Sequence, residues 1–324
     1  MRELRRMVSA PFRPLRGRDL ALHAAAVTFY AGIAVVPVAL LAVWITGLAA
    51  GTQRVRDLTG RTIDALPDAI GAPHALERLI DAGLHLTPLL ALASLLPATL
   101  YGEGLRRAFA SLAKPGESLA EPGESLVGWR GRLLWLPLLA ASPALLLALF
   151  LALPATSGLW IRGGWYAVAG VVLSFLAAWL VLTPAVVWVY RGVAPGRPEW
   201  SATLLVGSFT AANLSGFLHG FVLFCALPLD LGAPFGGFTE VGGVVAVGLW
   251  LYLFHVIVLA GFAATRSLST CRRLRRSPSP VAGPEPWEPA PRGSRTGRKS
   301  GPGSPGPTSS TGPAAASSPG RAAL

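Results

Sequence analysis

Charged residues are scarce, 14% of the chain against about 25% in an ordinary soluble domain, and the longest stretches have none at all. Ala21–Ala50 runs thirty residues without a Lys, Arg, Asp or Glu. A helix of about 20 such residues crosses a hydrocarbon core of about 30 Å, so this run excludes a purely soluble fold. Cysteine is nearly absent: Cys225 lies in an apolar run and Cys271 in a basic segment, which excludes a disulfide framework. Lysine is almost missing too, two against twenty-six arginines, and with abundant Ala, Gly and Pro this points to a GC-rich bacterial genome. HExxH, GxxxxGK[ST], a GxSxG elbow and any Cys/His cluster of metal spacing are all lacking. The expectation is therefore no enzyme, no metal and no cofactor.

What the chain has instead is six apolar runs, at about 21–50, 84–100, 133–153, 165–190, 201–227 and 241–264. They predict an all-α, polytopic membrane protein of six transmembrane helices. The first run is about twice the length of a signal-peptide core and is expected to remain as a span. Between the first two, Gly51–Gly83 carries balanced charges and apolar residues at helical spacing, Val55, Leu58, Ile63 and Leu66, then Leu76, Leu79 and Ile80. Two short amphipathic helices broken at Pro67–Pro73 are expected there. Pro37, mid-span, predicts a kink near Val36.

The basic residues alternate with the spans. Twenty-three Lys and Arg fall in the arm 1–20, the second loop, the fourth loop and the tail, and five in the other loops. By the positive-inside rule both termini are cytoplasmic. The net charge of +12 is thus spread over loops and tails and forms no nucleic-acid surface. The second loop repeats PGESL, at Pro115–Leu119 and Pro122–Leu126, a small duplication with no assigned role. Residues 266–324, basic and rich in Pro, Ser and Gly, cannot bury a core and are expected to be a disordered cytoplasmic tail.

Polar residues at membrane depth or at its edge are the functional candidates, because they are costly there. Glu103 and Arg107, four apart, share a helix face just after the second span and form either a gating charge pair or a structural salt bridge. The fifth span is the most polar, with Asn213 and His219. For Asn213 a hydrogen bond to a neighbouring helix competes with a substrate contact. His255 in the last span is either a proton relay or a neutral His bonded to a neighbouring helix. Tyr190 with Trp188, opposite Trp165 and Tyr166, predicts an aromatic belt, and Arg191 an inside-positive charge.

Over Leu20–Thr265 the chain resembles the YihY/BrkB family of bacterial inner-membrane proteins, named for a serum-resistance factor and once mislabelled ribonuclease BN. Three blocks carry the resemblance: AAAVTFYAGIAVVPVALL at Ala24–Leu41, with Phe29, Tyr30 and Pro37; Val189, Tyr190 and Arg191 followed by Pro195 and Trp200; and Gly236, Gly237, Trp250, Leu251, Tyr252 and Gly261 in the last span. The family's acidic residue after Gly261 is replaced, since Phe262 and Ala263 follow. The resemblance implies six helices in the bacterial cytoplasmic membrane, no ribonuclease, and a proposed transport or export of lipid-like molecules. The expected partners are membrane lipids and an amphiphilic small molecule, without nucleic acid. A structural or assembly protein whose basic tail binds anionic lipid or an acidic partner is the alternative.

Overall fold

A computed structural model describes residues 20–63, 72–113, 127–227 and 229–276. The basic arm, both PGESL copies, Leu66 to Gly71 and most of the tail lie outside the described residues. Among those described, eight α-helices and no strand occur: α1 Leu20–Ala50, α2 Thr52–Ile63, α3 Ala72–Leu84, α4 Pro88–Leu112, α5 Val127–Ile161, α6 Gly164–Trp188, α7 Trp200–Ala226 and α8 Thr239–Arg276. Six of them, α1, α4, α5, α6, α7 and α8, are long and apolar enough to cross a membrane.

The spans pack as a ring in chain order. α1 packs on α4, α4 on α5, α5 on α6, α6 on α7, α7 on α8, and α8 returns to α1. Among the spans, only α5 and α6 are joined by a tight connection, Arg162–Gly163, as antiparallel neighbours allow. At one end of the ring lie Arg106, Arg107, Arg132, Arg191 and Arg272; we call it the basic end. There α1, α4, α6, α7 and α8 close a core of Val27, Leu105, Phe109, Tyr190, Leu214 and Phe262. Toward the opposite end the amphipathic pair α2 and α3 buries Val55 and Ile80 against Val43 of α1 and Phe150 of α5.

The outward faces are apolar. Leu89, Leu92 and Leu96 form one exposed stripe on α4, and Trp165, Val168, Val172, Leu176 and Leu180 another on α6. Lipid tails cover such stripes without the cost they would carry in water.

Helix bounds depart from the apolar runs in several places. α8 does not stop near Ala264 but runs on to Arg276, so residues 266–276, expected to open the disordered tail, are helical. α4 does not end near Leu100 but continues through Glu103, Arg106 and Arg107 to Leu112, because those charges find partners inside the fold. α5 continues through Pro154, taken from the sequence as the start of a loop, to Ile161. Pro37 lies inside α1, which continues unbroken through it.

Candidate functional site

Three polar residues at membrane depth, Thr28, Tyr101 and His255, converge where α1, α4 and α8 meet. His255, 1% exposed, faces the carbonyl of Leu251 through Nδ1 at 2.7 Å, and a carbonyl can only accept. Nδ1 therefore carries a hydrogen, and in the neutral ring Nε2 is then the acceptor, to which Tyr101 donates its hydroxyl at 2.9 Å. Thr28 donates to the Ala24 carbonyl at 2.8 Å, which leaves its oxygen to share the Nδ1 hydrogen at 3.1 Å. One neutral histidine thus ties three helices. Trp135 of α5 packs edge-on against Tyr101, with ring centres 4.7 Å apart.

On the basic side of this cluster the bundle is closed. Phe109 and Phe262 pack as a tilted pair with centres 4.3 Å apart, and Tyr190 packs on both. Tyr190 is completely buried and donates to the Val258 carbonyl at 2.7 Å. That corrects its expected place in an interfacial belt: a single π-helical turn, Val189–Val193, carries the chain on past α6 and rotates Tyr190 inward. Gly261 makes room for it, since a Cβ there would overlap the Tyr190 hydroxyl and Thr210 Oγ1. Arg191 donates to the Pro198 carbonyl and lies over the Trp200 ring, 4.0 Å from its centre. It pins the turn into α7 rather than serving only as an inside-positive charge.

Glu103 is held at the same end. Its Oε1 accepts from Arg107 on the same helix, and its Oε2 from Arg132 of α5 at 2.7 Å. The sequence foresees the first partner and misses the second, which lies 29 residues away. The glycines on either side of Glu103 are the signal that could have found it. A Cβ at Gly131 would stand 2.5 Å from the Gly102 carbonyl oxygen, and one at Gly104 would stand 2.5 Å from Tyr30 Cδ2. α5 and α1 therefore approach α4 at van der Waals distance on both sides of the carboxylate, as small residues permit in lipid. The neighbouring Arg106 donates to the Val193 carbonyl at 2.9 Å, the last of the π-turn.

On the other side of the cluster the same helix faces are uncovered. Eleven residues are about three turns, which returns to the same face. Val244, eleven residues before His255, is 72% exposed, and Leu90, eleven before Tyr101, is 55% exposed. On α1, Val35, two turns beyond Thr28, is 55% exposed. α1 and α4 stay together there through Leu41, Ala91 and Ala98, while α8 stays with α7, Trp250 packing among Phe217, Phe221 and Phe224. The separation is thus between α8 and the α1–α4 pair. We read the faces so uncovered, which carry the exposed Val35, Leu90, Val241, Val244 and Val247 and lead to the Thr28–His255–Tyr101 cluster, as the walls of an apolar cleft.

The remaining candidates lie apart from this cleft. His219 bonds the Ser215 carbonyl through Nδ1 and Ser174 of α6 through Nε2, each at 2.8 Å, a seam between α6 and α7. Asn213 donates to Phe209 of its own helix at 2.8 Å, on an exposed face. The bond to a neighbouring helix favoured from sequence is not made among the described residues, because that face of α7 points out of the bundle. No group of three His, Cys, Asp or Glu able to hold a metal occurs among the described residues.

Compared with known proteins, residues 12–286 match the model of a family described as virulence factor BrkB. No curated protein and no solved structure matches the chain.

Proposed function

Since the chain belongs to the virulence factor BrkB family and is an integral membrane protein, we propose that it binds the apolar chain of an amphiphile in the cleft between α8 and the α1–α4 pair and moves it across the bilayer. The single observation behind this is the change along α8: one face buries His255, Val258 and Phe262 in its basic half and leaves Val241, Val244 and Val247 uncovered in the other. An open face of that kind in one half of a bundle, with a sealed core in the other, is the asymmetry that one state of an alternating-access cycle requires, and it supports this reading. The lining carries no charge, which suits an acyl or isoprenoid chain rather than a headgroup. Both ring nitrogens of His255 are engaged in helix-to-helix bonds, so the cluster serves as a closure and we assign no enzymatic step to it.

The setting we infer is the cytoplasmic membrane of a bacterium, with the basic end toward the cytoplasm. The arginine asymmetry of the two ends supports that orientation.

The test is lipid movement in liposomes containing the purified protein, read with a fluorescent acyl-chain lipid. Val244→Trp fills the cleft and is expected to slow movement at least about tenfold, while Leu89→Trp, on the exposed stripe of α4, leaves it unchanged. Absence of protein-dependent movement for any acyl or isoprenoid lipid, or equal behaviour of the two variants, overturns the proposal.

A further inference from the structure

The outward face of α7 carries one residue that lipid cannot satisfy. Asn213 lies at the midpoint of Trp200–Ala226, thirteen residues from either end, which at 1.5 Å per residue is about 20 Å. It is therefore at the centre of the bilayer. The face around it is otherwise apolar or small: Leu205 and Phe209 precede it, Ala212 and Gly216 flank it, and Leu223 follows.

Other polar side chains of α7 at similar depth are turned into the fold. Thr210 donates to the Val206 carbonyl and is buried. Ser215 donates to the Phe175 carbonyl of α6 at 2.8 Å, and His219 reaches Ser174. Asn213 alone faces out. One of its N–H groups reaches Phe209; its carboxamide oxygen has no partner among the described residues.

We propose that this face is where a second copy of the chain docks, α7 against α7, with the two Asn213 carboxamides hydrogen-bonded to each other. A carboxamide is its own complement, one donor and one acceptor on each side, and a two-fold axis sets the same residue opposite itself. Lipid is a poor alternative occupant. Its tails offer no hydrogen bond, and its headgroups stand about 15 Å away, half the hydrocarbon thickness. Close approach is open, because a Cβ at Gly216 would meet only the Phe175 ring, 3.7 Å away, and small residues of this kind let two helix backbones come together. The interface uses α7 and leaves the cleft of α1, α4 and α8 untouched, so it stands independently of the transport proposal.

The experiment uses the full chain with Cys225→Ala and Cys271→Ser, reconstituted in liposomes. Single cysteines are placed by Phe209→Cys on the proposed face and by Leu89→Cys on α4, and dimers are counted by oxidative cross-linking and by single-molecule photobleaching. Phe209→Cys is expected to cross-link and Leu89→Cys not. Asn213→Leu is expected to weaken dimerisation about tenfold, and Asn213→Gln to recover part of the loss. An unchanged melting temperature for Asn213→Leu separates loss of contact from misfolding. A monomer at every protein-to-lipid ratio, equal cross-linking from the two cysteines, or an Asn213→Leu chain that dimerises like the parent overturns the proposal.

Discussion

Tyr101 and His255, 154 residues apart, meet across α4 and α8 with hydroxyl and Nε2 2.9 Å apart, and the helices that carry them part company immediately beyond. The contact is the boundary between the sealed and the open half of the bundle. Tyr101→Phe keeps the ring packed on Trp135 and removes only the donor, leaving Nε2 buried without a partner. Bonds of this type between membrane helices contribute about 0.6 kcal/mol on average and at most about 2. A small loss of stability, about 1 kcal/mol, is expected in detergent unfolding. His255→Ala removes the bonds to both other helices and leaves a cavity, and should cost about 2 to 4 kcal/mol. Equal effects of the two substitutions would mean that the Tyr101 bond alone, not the packing of the ring or its contact with Thr28, carries the contribution of His255.

Two glycines of α8, Gly248 and Gly261, should respond to alanine with opposite signs. At Gly248 a Cβ would meet nothing within 4 Å, so Gly248→Ala gains helix propensity of up to about 1 kcal/mol. At Gly261 the same methyl would overlap the Tyr190 hydroxyl and Thr210 Oγ1. Overpacking of this kind costs about 1 to 3 kcal/mol, more where the neighbours are themselves fixed by hydrogen bonds. Melting temperatures of the two variants, measured side by side, check this. A Gly261→Ala chain as stable as the parent would show that Tyr190 can swing aside.

Arg191 and Trp200 supply a third case. The guanidinium lies over the indole and donates to the Pro198 carbonyl, a combination that an ammonium reproduces poorly. Arg191→Lys keeps the charge and should still lose about 1 kcal/mol through the weaker stack and the lost fork. Thermal unfolding of the variant beside the parent checks the loss, and an unchanged melting temperature would show that the stack contributes nothing.

The spans were legible because a bilayer demands long uncharged runs, and Ala21–Ala50 or Val241–Ala264 satisfy that demand on their own. The site was legible only in part. Arg107 could be paired with Glu103 from spacing, since four residues on a helix share a face, but Arg132 and His255 reach their partners through tertiary packing that no local period encodes. Tyr190 was misplaced for the same reason: an aromatic at the end of an apolar run looks like an interfacial anchor, and only the π-turn turns it inward. The cleft left no mark in the sequence, because Val244 on an open face and Val258 on a buried one are the same residue type. Gly102 and Gly104 were the overlooked clue, two glycines bracketing a carboxylate inside a helix.

The three-residue ion network around Glu103 should lose stability unevenly as its members are removed. Arg107 is half exposed, its side chain at 58%, whereas Glu103 is at 10% and Arg132 at 22%. Arg107→Ala therefore removes a bond that water can replace, and should cost at most about 1 kcal/mol. Glu103→Ala leaves Arg132 as a charge in a largely covered position between α4 and α5, and truncating the carboxylate of such a pair costs about 3 to 5 kcal/mol. Glu103→Gln should fall between them, since its amide oxygen can still accept from one arginine while its NH₂ group opposes the other. Removing Glu103 and Arg132 together should cost less than removing Glu103 alone, because the stranded charge disappears with its partner. Thermal unfolding of the four variants at constant salt checks the order. If the double variant proved the least stable, Arg132 would be held by contacts other than Glu103, and the close crossing at Gly102 and Gly131 alone would account for how α5 meets α4.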